Sequence, residues 1–374
     1  MHDLLHILHR FEFSQHDNIS SNIFSTVLTT TSKSTLLNTI IPERYVQVSF
    51  NEHSYANMCR SDDILLVYIL STIQNLERRH YIRQTYANRT NHPLLNHTCF
   101  VFLVGLQSSG DPVLKQKVKL EREKYNDIVQ IQHNESYQNV VFKEVGALKW
   151  SFEYHSQIPY LFKTDDDLIT DTILLSAIVN LFLYNKSNSD YLNKQLNSFV
   201  SSLDKINKQT FFRGSDMGGQ PTQRNTGKYG VNELTWNFEV LPQYCSGFGF
   251  LMAKFIRDRL YRASLHYLLD NVAWVGDVFV SGFLAGAAAV RCSGWQLDYA
   301  QVADGCTEHF KKANMLVCST PMHSSIDKFC EYGKIWEIIL QRHSSSDSKF
   351  IQKTNNSISS LLPPHLNCNE AFRL

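Results

Sequence analysis

Apolar and polar positions recur along this chain with two periods, and their order predicts the layers of a fold. Residues 64–70 and 99–104 are short apolar runs, the second closing on Gly105, and both predict buried strands. Between them, residues 76–89 predict a helix dense in arginine. A helix at about 113–125 and a short strand at 127–132 follow. Residues 140–155 put Val141, Val145, Leu148 and Phe152 on one helical stripe. This stripe leads into the strand-like run Tyr160-Leu161-Phe162-Lys163-Thr164-Asp165-Asp166-Asp167-Leu168-Ile169. Strands alternating with helices predict an α/β layer architecture around a largely parallel sheet. Residues 1–60 are polar, rich in Ser, Thr, Asn and His, and predict a poorly packed leader or stem. The folded domain is expected over 61–340, with a long connection at 184–209 and a low-complexity tail over 341–374.

The three aspartates are the chemistry this pattern delivers. Ligands of parallel sheets bind beyond the carboxyl ends of strands, and Asp165, Asp166 and Asp167 stand at one such end. Like charges this close repel, and a divalent cation with hard oxygen ligands resolves the conflict. If the strand continues, its alternation points Asp165 and Asp167 one way and Asp166 the other. The competing reading is an acidic surface turn.

Bulk properties narrow the choice. With 374 residues, 43% apolar and 19% charged, the chain is ordinary globular protein. A formal charge of +1, without a basic stripe, argues against nucleic acid as a partner. None of the eight cysteines forms a Cys-x-x-Cys pair, which disfavours structural zinc. Their even, scattered set fits disulfides in a secretory compartment, with reduced buried cysteines as the alternative. No stretch approaches the ~20 apolar residues of a membrane-spanning helix.

Several further segments fall into one order. Arg78-Arg79-His80-Tyr81-Ile82-Arg83 precedes Phe100-Val101-Phe102-Leu103-Val104-Gly105, and EREKYNDIVQ (121–130) and SYQNVVFK (136–143) follow. After the aspartates come Tyr244-Cys245-Ser246-Gly247-Phe248-Gly249-Phe250 and Gly276-Asp277-Val278-Phe279-Val280. In this register, over about 62–336, the chain resembles the β-1,3-glycosyltransferases of family 31. The resemblance implies a GT-A fold, a UDP-sugar donor, Mn²⁺ or Mg²⁺ as cofactor, and inversion at the anomeric carbon. It implies metal ligation by Asp165 and Asp167, with His323 as a third ligand, and donor contacts at Arg79, Arg83, Lys143, Asp165, Asp166, Gly247 and Gly249. Asp277 matches the Asp of a Glu-Asp-Val motif, implying a general base, but Gly276 stands where that glutamate belongs. The alternative is therefore a catalytically inactive glycan- or UDP-binding member. For the arginines the competing reading is a solvated basic helix face, for Lys143 a surface lysine, and for the glycines a tight turn. The acceptor implied is a glycan on glycoprotein or glycolipid. The address implied is the Golgi or endoplasmic reticulum lumen, with a type II membrane anchor. Since no anchor is visible in this chain, a truncated N-terminus or a soluble lumenal variant is expected.

Overall fold

The computed structural model describes residues 45–51, 55–107, 110–185, 189–224, 227–300, 305–319 and 326–344. Strand β1 (Leu65–Leu70) is buried at all six positions, because it has a parallel strand on each side and packed side chains on both faces. Strand alternation splits its side chains between two cores. Leu65, Val67 and Ile69 pack with Phe102, Phe162, Ile173 and Trp336, whereas Leu66, Tyr68 and Leu70 pack with Val101, Leu103, Leu148 and Trp150.

Helix α1 (Leu76–Gln84) leads to β2 (Thr98–Leu106), α2 (Pro112–Tyr125) to β3 (Ile128–Asn134), and α3 (Val140–Tyr154) to β4 (Tyr160–Asp165). After β5 (Leu168–Thr170) come α4 (Thr172–Tyr184), β6 (Phe212–Asp216), β7 (Cys245–Ala253) and α5 (Lys254–Ser264). A helical run, α6, joins Gly276–Val278, a π-helical Phe279–Leu284 and Ala285–Ala287. Strands β8 (Ser293–Gly294), β9 (Asp298–Ala300) and β10 (Met315–Ser319) precede α7 (Ile326–His343). The main sheet has the order β3-β2-β1-β4-β7-β6-β8, and β5-β10-β9 form a second sheet. Only β7 runs antiparallel to its neighbours in the main sheet, so the expected mostly parallel sheet with flanking helices is present.

Local chemistry sets the helix ends. The Asp111 carboxylate caps α2 by accepting from Val113 N (2.9 Å), Pro112 follows at the first helical position, and left-handed Asn126 ends the helix. Asp171 caps α4 in the same way through Leu174 N (2.9 Å). Disulfides join Cys59 to Cys99, Cys245 to Cys292 and Cys306 to Cys318.

Four sequence expectations are adjusted. The leader expected to reach residue 60 gives way earlier, since Val46, Val48, Tyr55 and Cys59 are buried in the core and Val46 N donates to Tyr267 O. Residues 341–343, expected in the tail, are the end of α7, with Arg342 and His343 in ion pairs with buried Asp171. The connection after α4 contains short helices at Asp190–Gln195 and Asn197–Leu203, which bury Leu192, Phe199 and Leu203. Helix α1 stops at Gln84 rather than near 89, and Arg89 turns back to pair with Asp63 (2.8 Å).

Candidate active site

Strand β4 ends at Asp165, and the next two aspartates form the turn into β5 rather than continuing the strand. Asp166 is buried there, with its amide donating to Leu70 O (3.0 Å). Its carboxylate accepts from Ser71 Oγ (2.6 Å), Asn75 Nδ2 (2.8 Å) and Arg78 Nη1 (3.2 Å). Asn75 occupies the N-cap position of α1 but makes no capping bond, its amide going to Asp166 instead. Asp166 is thus held by the loop after β1.

Asp165 and Asp167 are differently placed. Burial pushes the Asp165 carboxyl up, Lys163 pulls against it, and Asp166 and Asp277 add repulsion. Burial, then the charges of Asp165 and Asp166, push Asp167 up to about 6. Both are half-buried. Asp166 and Asp277 oppose Lys163 at Asp165, and Arg78 and Lys163 pull against Asp165 and Asp166 at Asp167. Over the whole corner the carboxylates outnumber these two cations. A donor set of hard oxygens in surplus negative charge fits a divalent cation such as Mn²⁺ or Mg²⁺.

Lys163 connects this acidic end to the next strand. Its side chain is fully buried, and Nζ donates to the Asp165 carboxylate (2.9 Å) and to Gly247 O, with Glu144 at 3.8 Å. Gly247 N in turn donates to Asp277 Oδ2 (2.7 Å), and Val278 N to Asp277 Oδ1 (2.9 Å). One chain of contacts therefore runs from Asp165 through Lys163 and Gly247 to Asp277. Ser281 anchors that corner by donating to Asp277 O (2.7 Å) and accepting from Cys245 N (2.9 Å).

Both predicted glycines lie within β7, not in a turn. A Cβ on Gly247 would stand 3.2 Å from Lys163 Nζ and 3.4 Å from Asp277 Oδ2, so this position admits little else. Gly249, with φ +152°, lies where a Cβ would be 2.6 Å from the Phe162 ring, which makes it a packing position against β4. At Gly276 a Cβ would meet Val140 at 3.0 Å and the Glu144 carboxylate at 3.6 Å. Glu144 is completely buried, accepts from the Tyr68 hydroxyl (3.2 Å), and is pushed up to about 7, chiefly by burial, against the pull of Lys163.

The predicted cations have protein partners. Arg79 is fully buried, with Nε and Nη2 on Glu121 (2.9 and 2.7 Å) and Nη1 on Ser71 Oγ (3.0 Å) and Thr72 O. Arg83 donates to Glu121 (2.7 Å) and to both oxygens of Asp127 (2.7 and 2.8 Å), and lies over the Tyr125 ring. Neither forms the solvated basic face that was the alternative; they bind α1 to α2. Arg78 is the member of that helix facing the aspartates. Lys143 is buried, donating to Ser71 O (2.8 Å) and Glu135 (3.0 Å) beneath the β1–α1 loop. His323 lies outside the described residues.

Sequence reasoning assigned no role to Lys163, Arg78 or Glu144. The signal for Lys163 was available, since it precedes Asp165 by two residues and so shares its face of β4. Nothing local marks Glu144. A separate cavity of about 280 Å³, lined by Asp216, Trp295, Asp298 and Tyr299 among others, touches none of the aspartates at 165–167.

The mostly parallel sheet flanked by helices is the GT-A type of α/β architecture. The family model described as Galactosyltransferase matches residues 77–294, more than half of the chain, and the chain belongs to that family. It is 27% identical over 202 residues to beta-1,3-galactosyltransferase 2 of Homo sapiens, covering 54% of this chain and 43% of that protein. It is 28% identical over 232 residues to lactosylceramide 1,3-N-acetyl-beta-D-glucosaminyltransferase B of Danio rerio, covering 61% and 55%. The chain thus spans about half the length of these curated relatives. Among solved structures, the galactosyltransferase LgtC, in complex with donor and acceptor sugar analogs, aligns with a TM-score of 0.32 at 10% identity, over 80% of this chain and 96% of that one.

Proposed function

We propose that this protein is an inverting, metal-dependent β-1,3-glycosyltransferase that moves a hexose or N-acetylhexosamine from a UDP-sugar to a glycan hydroxyl. The observation that carries this reading is the contact chain Asp165–Lys163–Gly247–Asp277, which couples an acidic cation site to a carboxylate held ready by two backbone amides. In this reading the acceptor oxygen attacks the anomeric carbon, the bond from that carbon to UDP breaks, and the acceptor proton passes to Asp277. Asp165 and Asp167 would hold Mn²⁺ or Mg²⁺, which when bound offsets the charge on the departing diphosphate. The three disulfides support the oxidising lumen of the Golgi or endoplasmic reticulum as its address, and glycoprotein or glycolipid as the acceptor's carrier.

Gly276 favours the competing reading of an inactive glycan- or UDP-binding protein. Against it, Glu144 brings a buried carboxylate to the space that a side chain at 276 would enter. The test is UDP release from a donor panel with Mn²⁺ and with acceptor present. Asp277→Asn should lower turnover by about 10²–10⁴-fold. UDP binding without turnover by the wild-type protein on any acceptor would sink the enzyme reading.

A further inference from the structure

Three aromatic side chains from separate segments meet beside Asp277. Tyr137 opens the 3-10 turn Tyr137–Asn139 ahead of α3, Tyr229 ends the turn Gly227–Tyr229, and Trp274 stands three residues before the carboxylate. The Tyr137 ring centre is 5.4 Å from that of Trp274 and 6.3 Å from that of Tyr229, with the rings at 72° and 81°. Lys228 Nζ lies 4.3 Å from the Tyr137 ring centre.

These rings are placed unlike most others in the fold. Phe102, Phe162, Trp150 and Trp336 are buried in the two cores, whereas Tyr137 and Tyr229 are 41% and 49% exposed. Exposed aromatic clusters of this kind mark recognition surfaces, because each ring offers a large apolar face with a polar tip. The platform is also built onto the same junction as the carboxylate. Ser136 caps the Tyr137 turn by accepting from Asn139 N (3.1 Å), and Val140, next in the chain, packs against Gly276. Burial, then Tyr229 and the carboxylates of Asp277 and Asp165, push the Tyr137 phenol up, so it keeps its proton and remains a hydrogen-bond donor.

We propose that Tyr137, Tyr229 and Trp274 form the acceptor subsite, taking the apolar C–H face of a neutral pyranose so that one of its hydroxyls is turned toward Asp277. The occupant is assigned as a neutral sugar because its apolar C–H face matches the rings and the Asp277 carboxylate beside them would repel an acidic group, with Lys228 over the Tyr137 ring as the opposing charge. The assignment deepens the transferase reading and rests on it.

The test uses the full chain with Mn²⁺, a UDP-sugar panel and methyl β-galactoside as the acceptor probe, comparing Tyr229→Ala and Trp274→Ala with the distant surface change Tyr184→Ala. The acceptor KM is expected to rise about tenfold in the first two, well beyond any rise in donor KM, and to stay at the wild-type value in the third. Tyr137→Phe, which keeps the ring, should raise acceptor KM less than Tyr137→Ala. Donor and acceptor KM rising together, or neither moving, would overturn the subsite. Saturation-transfer NMR of methyl β-galactoside separates this outcome from failure of the transferase reading. A transfer signal on the sugar that is present in the wild type and vanishes in Tyr229→Ala, with no UDP released by any variant, would support the subsite and sink the transfer chemistry alone.

Discussion

Two acidic clusters in this fold make opposite use of the same residue types. In the first, Glu121 and Asp127 meet Arg79 and Arg83, and Asp171 meets Arg342 and His343, so each buried carboxylate has cations bonded to it. Burial alone would raise Glu121 and Asp171, yet the paired cations hold both down, Asp171 to about 2. In the second cluster, Asp165, Asp167 and Glu144 crowd round Lys163, with Arg78 also pulling on Asp167, and all three are pushed up. Cations matched to carboxylates make a brace; carboxylates crowded beyond their neighbouring cations leave a demand for positive charge. The difference separates the part of the molecule that holds shape from the part available for chemistry.

The comparison breaks first at Glu121. Glu121→Ala leaves Arg79 buried without its carboxylate and is expected to cost about 3–5 kcal/mol in urea unfolding. A loss below about 1 kcal/mol would show that the cluster is no brace. Asp171 gives the next effect. Its folded pKa of about 2 lies below the unfolded value of about 4, so its contribution is present above that value and lost as pH falls toward 2. Unfolding free energy between pH 6 and 2 should drop by roughly 2 kcal/mol more in the wild type than in Asp171→Asn.

Asp167→Asn runs the other way. Because the folded pKa of Asp167, about 6, exceeds its unfolded value, its contribution is lost as pH rises through 6. At pH 7, without metal, the variant should be more stable by about 1 kcal/mol, after allowance for solvent screening, while its Mn²⁺-dependent UDP release collapses. Thermal melts with and without Mn²⁺ check both halves. The smallest effect belongs to the surface pair Lys119–Glu123, at 3.9 Å with both side chains more than half exposed. Lys119→Ala should change stability by under about 0.5 kcal/mol.

Periodicity carried much of this in advance. The apolar run at 64–70, the stripe of Val141, Val145 and Leu148, and the strand ending in aspartates are local patterns, and each appears as an element. What stayed hidden is set by distant residues. The turn at Asp166 depends on Ser71, Asn75 and Arg78, and the enclosure of Arg79 and Arg83 on Glu121 and Asp127. A tight turn is the competing reading of Gly247 and Gly249, yet both lie in β7, where the missing side chains make room for Lys163 and the Phe162 ring. At residues 45–50, Val46 and Val48 alternate with Gln47 and Ser49, but the run is too short to stand out inside a polar stretch.

The bridge between Cys245 and Cys292 encloses Gly247, Tyr267, Trp274 and Asp277 in one covalent ring of the chain. Fraying at the outer strands therefore leaves the two ends of this segment joined, and a thiol reductant can cut that tether while the central strands persist. Handling in dithiothreitol would then silence the protein before any change in its circular dichroism, and a preparation judged folded by its spectrum could still be inert.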